Sequence, residues 1–133
     1  MGSIIVALPK VEDAKHISAI LKRRGIETAV ICTKAATVLS QVHELDSGIV
    51  ICGSRFTDMH YTQLYEYLPE YFEMLLLASA ATLETCPPDI MTLGFPSRPN
   101  DLGGTVEMMR TQQARKLKKL KAAPKKRTEQ EQN

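Results

Sequence analysis

Several things this sequence lacks narrow what it can be. No glycine follows the first apolar run, where Leu8-Pro9-Lys10-Val11 stands, so a dinucleotide-binding fingerprint is excluded. The three cysteines, Cys32, Cys52 and Cys86, are odd in number and lack metal-ligand spacing, which argues against both a disulfide framework and a zinc site. Cys32 and Cys52 end apolar runs, where a reduced thiol serves as a small hydrophobe. Cys86, before Pro87-Pro88, is expected to be the most exposed of the three. His16, His43 and His60 fall on different elements with no ligand spacing, so each is read as a surface or helix-end residue, and neither metal nor cofactor is expected. No apolar run approaches the ~18 residues of a membrane span. Met1-Gly2-Ser3 leads directly into an apolar segment, so no signal peptide is expected and a cytoplasmic location follows.

What is present is organised around Ser47-Gly48-Ile49-Val50-Ile51-Cys52-Gly53-Ser54-Arg55-Phe56. This short run, rich in β-branched residues and ending in Gly-Ser, reads as a strand buried on both faces. Similar runs lie at residues 4–8, 28–32, 74–78 and 90–94. Between them are amphipathic segments: Val11 to Arg24 before a Gly25 stop, a helix after Thr33 as N-cap, Tyr61 to Tyr71 disturbed by Pro69, and a short, weak helix from Ala81. A last helix starts near Asn100 or Asp101. Strands alternating with helices predict an α/β fold, a doubly wound (βα)5 flavodoxin-like sandwich on a five-stranded parallel sheet, with an extended C-terminal helix.

Charge divides the chain. Residues 1–109 carry 8 Lys+Arg against 13 Asp+Glu, a net of −5, whereas residues 110–127 carry nine Lys+Arg and no acid. The expected organisation is one domain over residues 1–110 and a basic helical linker over 111–133. Nine cations in eighteen residues invite a nucleic-acid reading through phosphate neutralisation. No aromatic residue is interleaved to stack bases, however, so a solvated linker helix is the stronger reading and weak auxiliary RNA contact the weaker.

The five strands resemble the receiver domain of two-component response regulators, from about residue 3 to residue 115. Ile4 to Gly25 is similar to the family's first strand and helix, Gly48-Ile49-Val50-Ile51-Cys52 to its third strand, Leu76-Leu77-Ala78-Ser79-Ala80 to its fourth with the hydroxyl residue and following alanine, and Gly94-Phe95-Pro96 to the lysine-proline turn after its fifth. In that family an aspartate ending strand three takes a phosphoryl group, and an acidic pair after strand one helps it hold magnesium. A Ser/Thr after strand four and a lysine after strand five contact the phosphoryl oxygens.

Carried over residue by residue, the set is nearly gone. The acidic pair falls on Leu8 and Pro9, the acceptor on Gly53 and the lysine on Phe95; only Ser79 and Pro96 keep the family type. Leucine and proline cannot ligate magnesium and glycine cannot be phosphorylated, so the resemblance implies a degenerate receiver without aspartyl phosphorylation. Among the nearby acids, Glu12 and Asp13 fall in the first helix and Asp58 lies five residues past the acceptor position.

Beyond residue 110 the helix runs on, with Val106, Met109, Leu117 and Leu120 spaced like a coiled-coil seam broken only by Gln113. After Pro124, Thr128-Glu129-Gln130-Glu131 has the form of a capping box, the start of a helix with none behind it, as expected of a chain cut from a longer one. Degenerate receivers with such an extension resemble regulators that carry a C-terminal ANTAR module, which binds paired RNA hairpins and prevents transcription termination. The reading is therefore a non-enzymatic, receiver-like signalling domain. It is expected to bind a protein partner or a second copy, through Val106, Met109, Leu117 and Leu120, and to position an RNA-binding module that lies outside this chain. The alternative is a small-ligand or nucleotide sensor using Gly53, Ser54, Ser79 and Ser97 at the strand ends. A third and lesser possibility is an enzyme using Ser54 or Cys86, although neither Ser54 nor Ser79 sits in a G-x-S-x-G elbow.

Overall fold

The computed structural model describes residues 2–96 and 98–122, the last three as backbone only. Five strands, β1 (Ser3–Ala7), β2 (Val30–Cys32), β3 (Gly48–Cys52), β4 (Phe72–Ala78) and β5 (Met91–Gly94), form one sheet in the order β2-β1-β3-β4-β5. Every pairing is parallel. A parallel sheet needs crossovers, and the chain supplies α1 (Val11–Arg23), α2 (Ala35–Glu44), α3 (Tyr61–Tyr67) and α4 (Ala80–Glu84), followed by α5 (Pro99–Ala122). This is the doubly wound flavodoxin-like arrangement expected from the alternation of apolar runs.

The strands separate two cores, because alternate residues point to opposite faces. Ile5, Ala7, Val50, Cys52, Met74 and Leu76 face α2 and α3, while Ile4, Val6, Ile49, Ile51, Leu75 and Leu77 face α1 and α5. Every residue of β3 is buried, the burial expected of the central strand. At the far edge β5 is only half covered, and α4 buries none of its five residues.

The helix boundaries show what each segment obeys. α1 closes at Gly25, whose φ of 78° places it in the left-handed region where a side chain would be strained. Ser79, and not Ala80 or a later residue, is the N-cap of α4. α3 starts in a capping box. The amide of Thr62 donates to Nδ1 of His60 at 3.4 Å, and the His60 amide donates to Oε1 of Gln63 at 3.2 Å. His60 is thus a helix-end residue, as expected, and His16 and His43 are exposed.

Thr33 does not cap α2, contrary to the sequence reading. The N-cap is Lys34, which makes no side-chain cap, and the first turn is closed from a distant loop by Asp58.

The C-terminal helix brings the largest correction. Val106 and Met109, expected as part of an exposed seam, are 0% and 3% accessible and lie in the core against the sheet. The physical reason is that α5 must cover the open face of a parallel sheet, and Leu102, Val106 and Met109 form the stripe that does so. A buried side chain has no surface to offer a second copy. Gln113, read as a break in the stripe, is also buried, at 3% accessible. Its Nε2 donates to the carbonyl oxygens of Gly48 at 2.6 Å and Tyr71 at 3.0 Å, which pins α5 to the amino ends of β3 and β4. The charge boundary at residue 110 therefore falls inside α5, ahead of the helix's last buried anchor. Leu117 is half-buried, and the side chain of Leu120 lies outside the described residues, as do Pro124 and Thr128 to Glu131.

Candidate functional site

Open α/β sheets keep their sites at the carboxyl ends of the strands, and the register places the expected residues there. Ala7 pairs with Cys32 on one side and Cys52 on the other, and Ala78 pairs with Gly94. The residues that follow, Leu8-Pro9, Gly53, Ser79 and Phe95-Pro96, thus leave the sheet along a common edge.

Leu8, Pro9 and Gly53 come together. The Gly53 amide donates to the carbonyl of Ala7 at 3.3 Å and the Leu8 amide to that of Cys32 at 3.1 Å, so β1 and its neighbours stay zipped to their last residues. Leu8 is 4% accessible and Gly53 is buried. A β-carbon on Gly53 would stand 3.2 Å from Cδ2 of Leu8 and 3.9 Å from Cδ of Pro9, so the space beside it is filled by hydrocarbon. Nothing in that wall offers oxygen to a cation.

β4 and β5 stay joined at this edge, the Phe95 amide donating to the carbonyl of Ala78, the residue before Ser79, at 3.1 Å. The Ser79 hydroxyl is exposed and 3.4 Å from Oγ1 of Thr82. Phe95 is 37% exposed, and the Phe95–Pro96 bond is cis. Of the residues weighed for a ligand crevice, Gly53 is buried, Ser54 half-buried and Ser79 exposed, while Ser97 lies outside the described residues. A groove of about 720 Å³ lies at the other end of the sheet, among Phe72, Met91, the last turn of α3 and the middle of α5.

The acids near this edge do not converge on it. Glu12 and Asp13 occupy the first turn of α1. Asp58 turns to α2, accepting from the amides of Ala35 at 3.0 Å and Ala36 at 2.8 Å. Those hydrogen bonds, the one from Ala36 foremost, hold its carboxyl below the usual range. The role of Asp58 could not be read from spacing, because its partners lie more than twenty positions away. Among the described residues, no three or more His, Cys, Asp or Glu side chains are grouped to hold a metal ion.

Beneath the edge lie two thiols. Cys52, at the end of β3, is 0% accessible, and burial followed by the nearby Cys86 pushes its pKa up to about 12. Cys86 is the most exposed of the three cysteines, as expected, but still half-buried, packing against the α2–α3 core with its Sγ 3.5 Å from the Pro87 carbonyl. Tyr61 contacts it, and burial first, then Cys86, raises that phenol's pKa.

Known proteins place the fold. The chain is similar to a CheY-like response regulator receiver domain protein from Methanospirillum hungatei JF-1, with a TM-score of 0.70 and 12% identity over 86% of this chain and 98% of that one. It is also similar to the solved structure titled adenylate cyclase from Rhodopirellula baltica, with a TM-score of 0.82 and 14% identity over 94% of this chain and 99% of that one. A sensor protein from Polaromonas sp. JS666 matches with a TM-score of 0.72 and 15% identity, over 84% and 98% of the two chains. No protein-family model matches the sequence, and no curated protein is similar to it. The chain therefore has the fold of CheY-like receiver domains. Among the described residues, no helix is long and apolar enough to cross a membrane.

Proposed function

We propose that this chain is a signalling domain that uses the receiver fold without aspartyl phosphorylation. The observation that carries this reading is the contact of Gly53 with Leu8 and Pro9. The place of the acceptor holds no side chain, and the place of the metal-binding acids is a hydrocarbon wall. An acyl phosphate brings two negative charges to that spot, and neither Leu8, Pro9 nor Phe95 can offset them. The domain acts instead by binding, either to another protein or to a second copy of itself. It is not an enzyme in this reading. One structural neighbour bears a cyclase's name, so incubation with ATP and analysis of the nucleotides is the direct check.

The continuous α5 would carry the output. It is anchored by Gln113, runs on in basic sequence, and is suited to position a following RNA-binding module of the ANTAR type. Treating the chain with a small phosphodonor and magnesium tests the first half of this reading. Binding of a paired RNA hairpin by a chain that carries such a module, compared with residues 1–133 alone, tests the second. Salt-insensitive hairpin binding by residues 1–133 alone would place the RNA site elsewhere than the basic segment.

A further inference from the structure

The groove at the amino ends of β4 and β5 is unlike the carboxyl edge in its chemistry. Its floor is apolar, with Phe72, Met74 and Ile90 at its base. Its rim is acidic, since Glu66, Glu70, Glu73 and Asp89 all border it. Lys116 of α5 is the cation on the lining, with Nζ 4.0 Å from Oε1 of Glu73. Three exposed carboxylates beside one lysine leave the rim negative at neutral pH.

α5 forms one wall of this groove through Met109, Gln112 and Lys116 and then continues past it. Gln113 is its last buried side chain among those described. Beyond it Arg115, Lys118 and Lys119 are exposed and Leu117 is half-buried. A basic helical end with little core beneath it therefore projects beside an acidic, apolar-floored groove. The two surfaces are complementary, but one straight helix cannot fold back into the groove that its own preceding turns enclose.

We infer that the groove receives the basic end of α5 from a second copy of this chain, in a two-fold arrangement where each copy gives its helix and accepts the other's. A two-fold axis passing near the Gln112–Lys116 wall makes every contact twice, Arg115, Lys118 and Lys119 of one copy against Glu66 and Glu70 of the other. Leu117 then covers the apolar floor. This rests on the self-association part of the proposed function and gives it a surface in place of Val106 and Met109. The contact is electrostatically steered, so it weakens as salt screens the rim.

The test is the mass of the full chain by light scattering, with two charge-reversed variants at exposed positions, Glu66→Lys/Glu70→Lys and Arg115→Glu/Lys118→Glu/Lys119→Glu. The expected result is a wild-type dimer, with each variant alone shifted to monomer by at least tenfold in dissociation constant. An equimolar mixture of the two should recover a dimer holding one of each. Circular-dichroism melts check that both variants remain folded. Variants that stay dimeric overturn the groove contact while leaving self-association intact. A wild-type chain that is monomeric at every concentration overturns both.

Discussion

Asp58 closes the first turn of α2 from the loop after β3, its Oδ2 2.8 Å from the amide nitrogen of Ala36. The same carboxylate takes the Ala35 amide at 3.0 Å, so one exposed acid satisfies two donors that Lys34 leaves open. The loop after β3 is thereby fastened to the neighbouring helix.

Asp58→Ala should destabilise the chain by about 1 kcal/mol at neutral pH, the usual loss for a helix cap, read as a lowered urea midpoint with an unchanged slope. Because hydrogen bonding depresses the folded-state pKa of Asp58, its contribution is present above the unfolded value and fades as the pH falls through the folded one. The gap between wild type and Asp58→Ala should therefore be full at pH 7, begin to narrow only below about pH 4, and close once the pH lies below the depressed folded value. A gap that persists in acid would mean that the carboxylate is not the cap.

Gln113→Leu should lower stability by about 1–3 kcal/mol, since it strands the carbonyls of Gly48 and Tyr71 that the amide now satisfies. A drop of several degrees in melting temperature is the readout. Leu117→Glu, beyond that anchor, should change the stability of the monomer, read at concentrations too low for self-association, by less than about 0.5 kcal/mol. Equal effects from the two would mean that the helix is not pinned at Gln113.

These two positions show where the sequence was legible and where it was not. The five strands are continuous apolar runs, and a run such as Ile49 to Cys52 has few other ways to be buried. Crossover helices follow from them, so the fold class could be read directly. The face of α5 could not. Val106 and Met109 recur at a spacing that serves equally a helix covering its own sheet and one packing on a second copy. The stripe begins at Leu102, at the start of the helix, and that is the signal of a covering helix. Gln113 looks like an interruption until the two carbonyls it meets are known, and those come from residues 65 and 42 positions away.

Thiol labelling should separate the three cysteines. Cys32 and Cys52 are buried, and burial raises both pKa values, that of Cys52 to about 12, so neither should present thiolate at neutral pH. With a disulfide reagent at pH 7, the native chain should modify only Cys86 on the minute timescale, and all three cysteines in denaturant. Mass mapping of the labelled peptides checks the assignment. Rapid native labelling of Cys52 would mean that the end of β3 opens far more than its burial allows.

The edge around Gly53 should not support phosphoryl transfer to an aspartate. The most direct measurement is the intact mass of the wild-type chain and of Gly53→Asp after incubation with acetyl phosphate and magnesium. The new side chain enters beside Cδ2 of Leu8, 3.2 Å from where its β-carbon would stand, with no carboxylate pair to share a metal ion. Neither protein should gain a phosphoryl group. A hydroxylamine-sensitive phosphoryl adduct on Gly53→Asp would show that acids elsewhere at this edge can assemble a metal site, and one on the wild type would contradict the account outright.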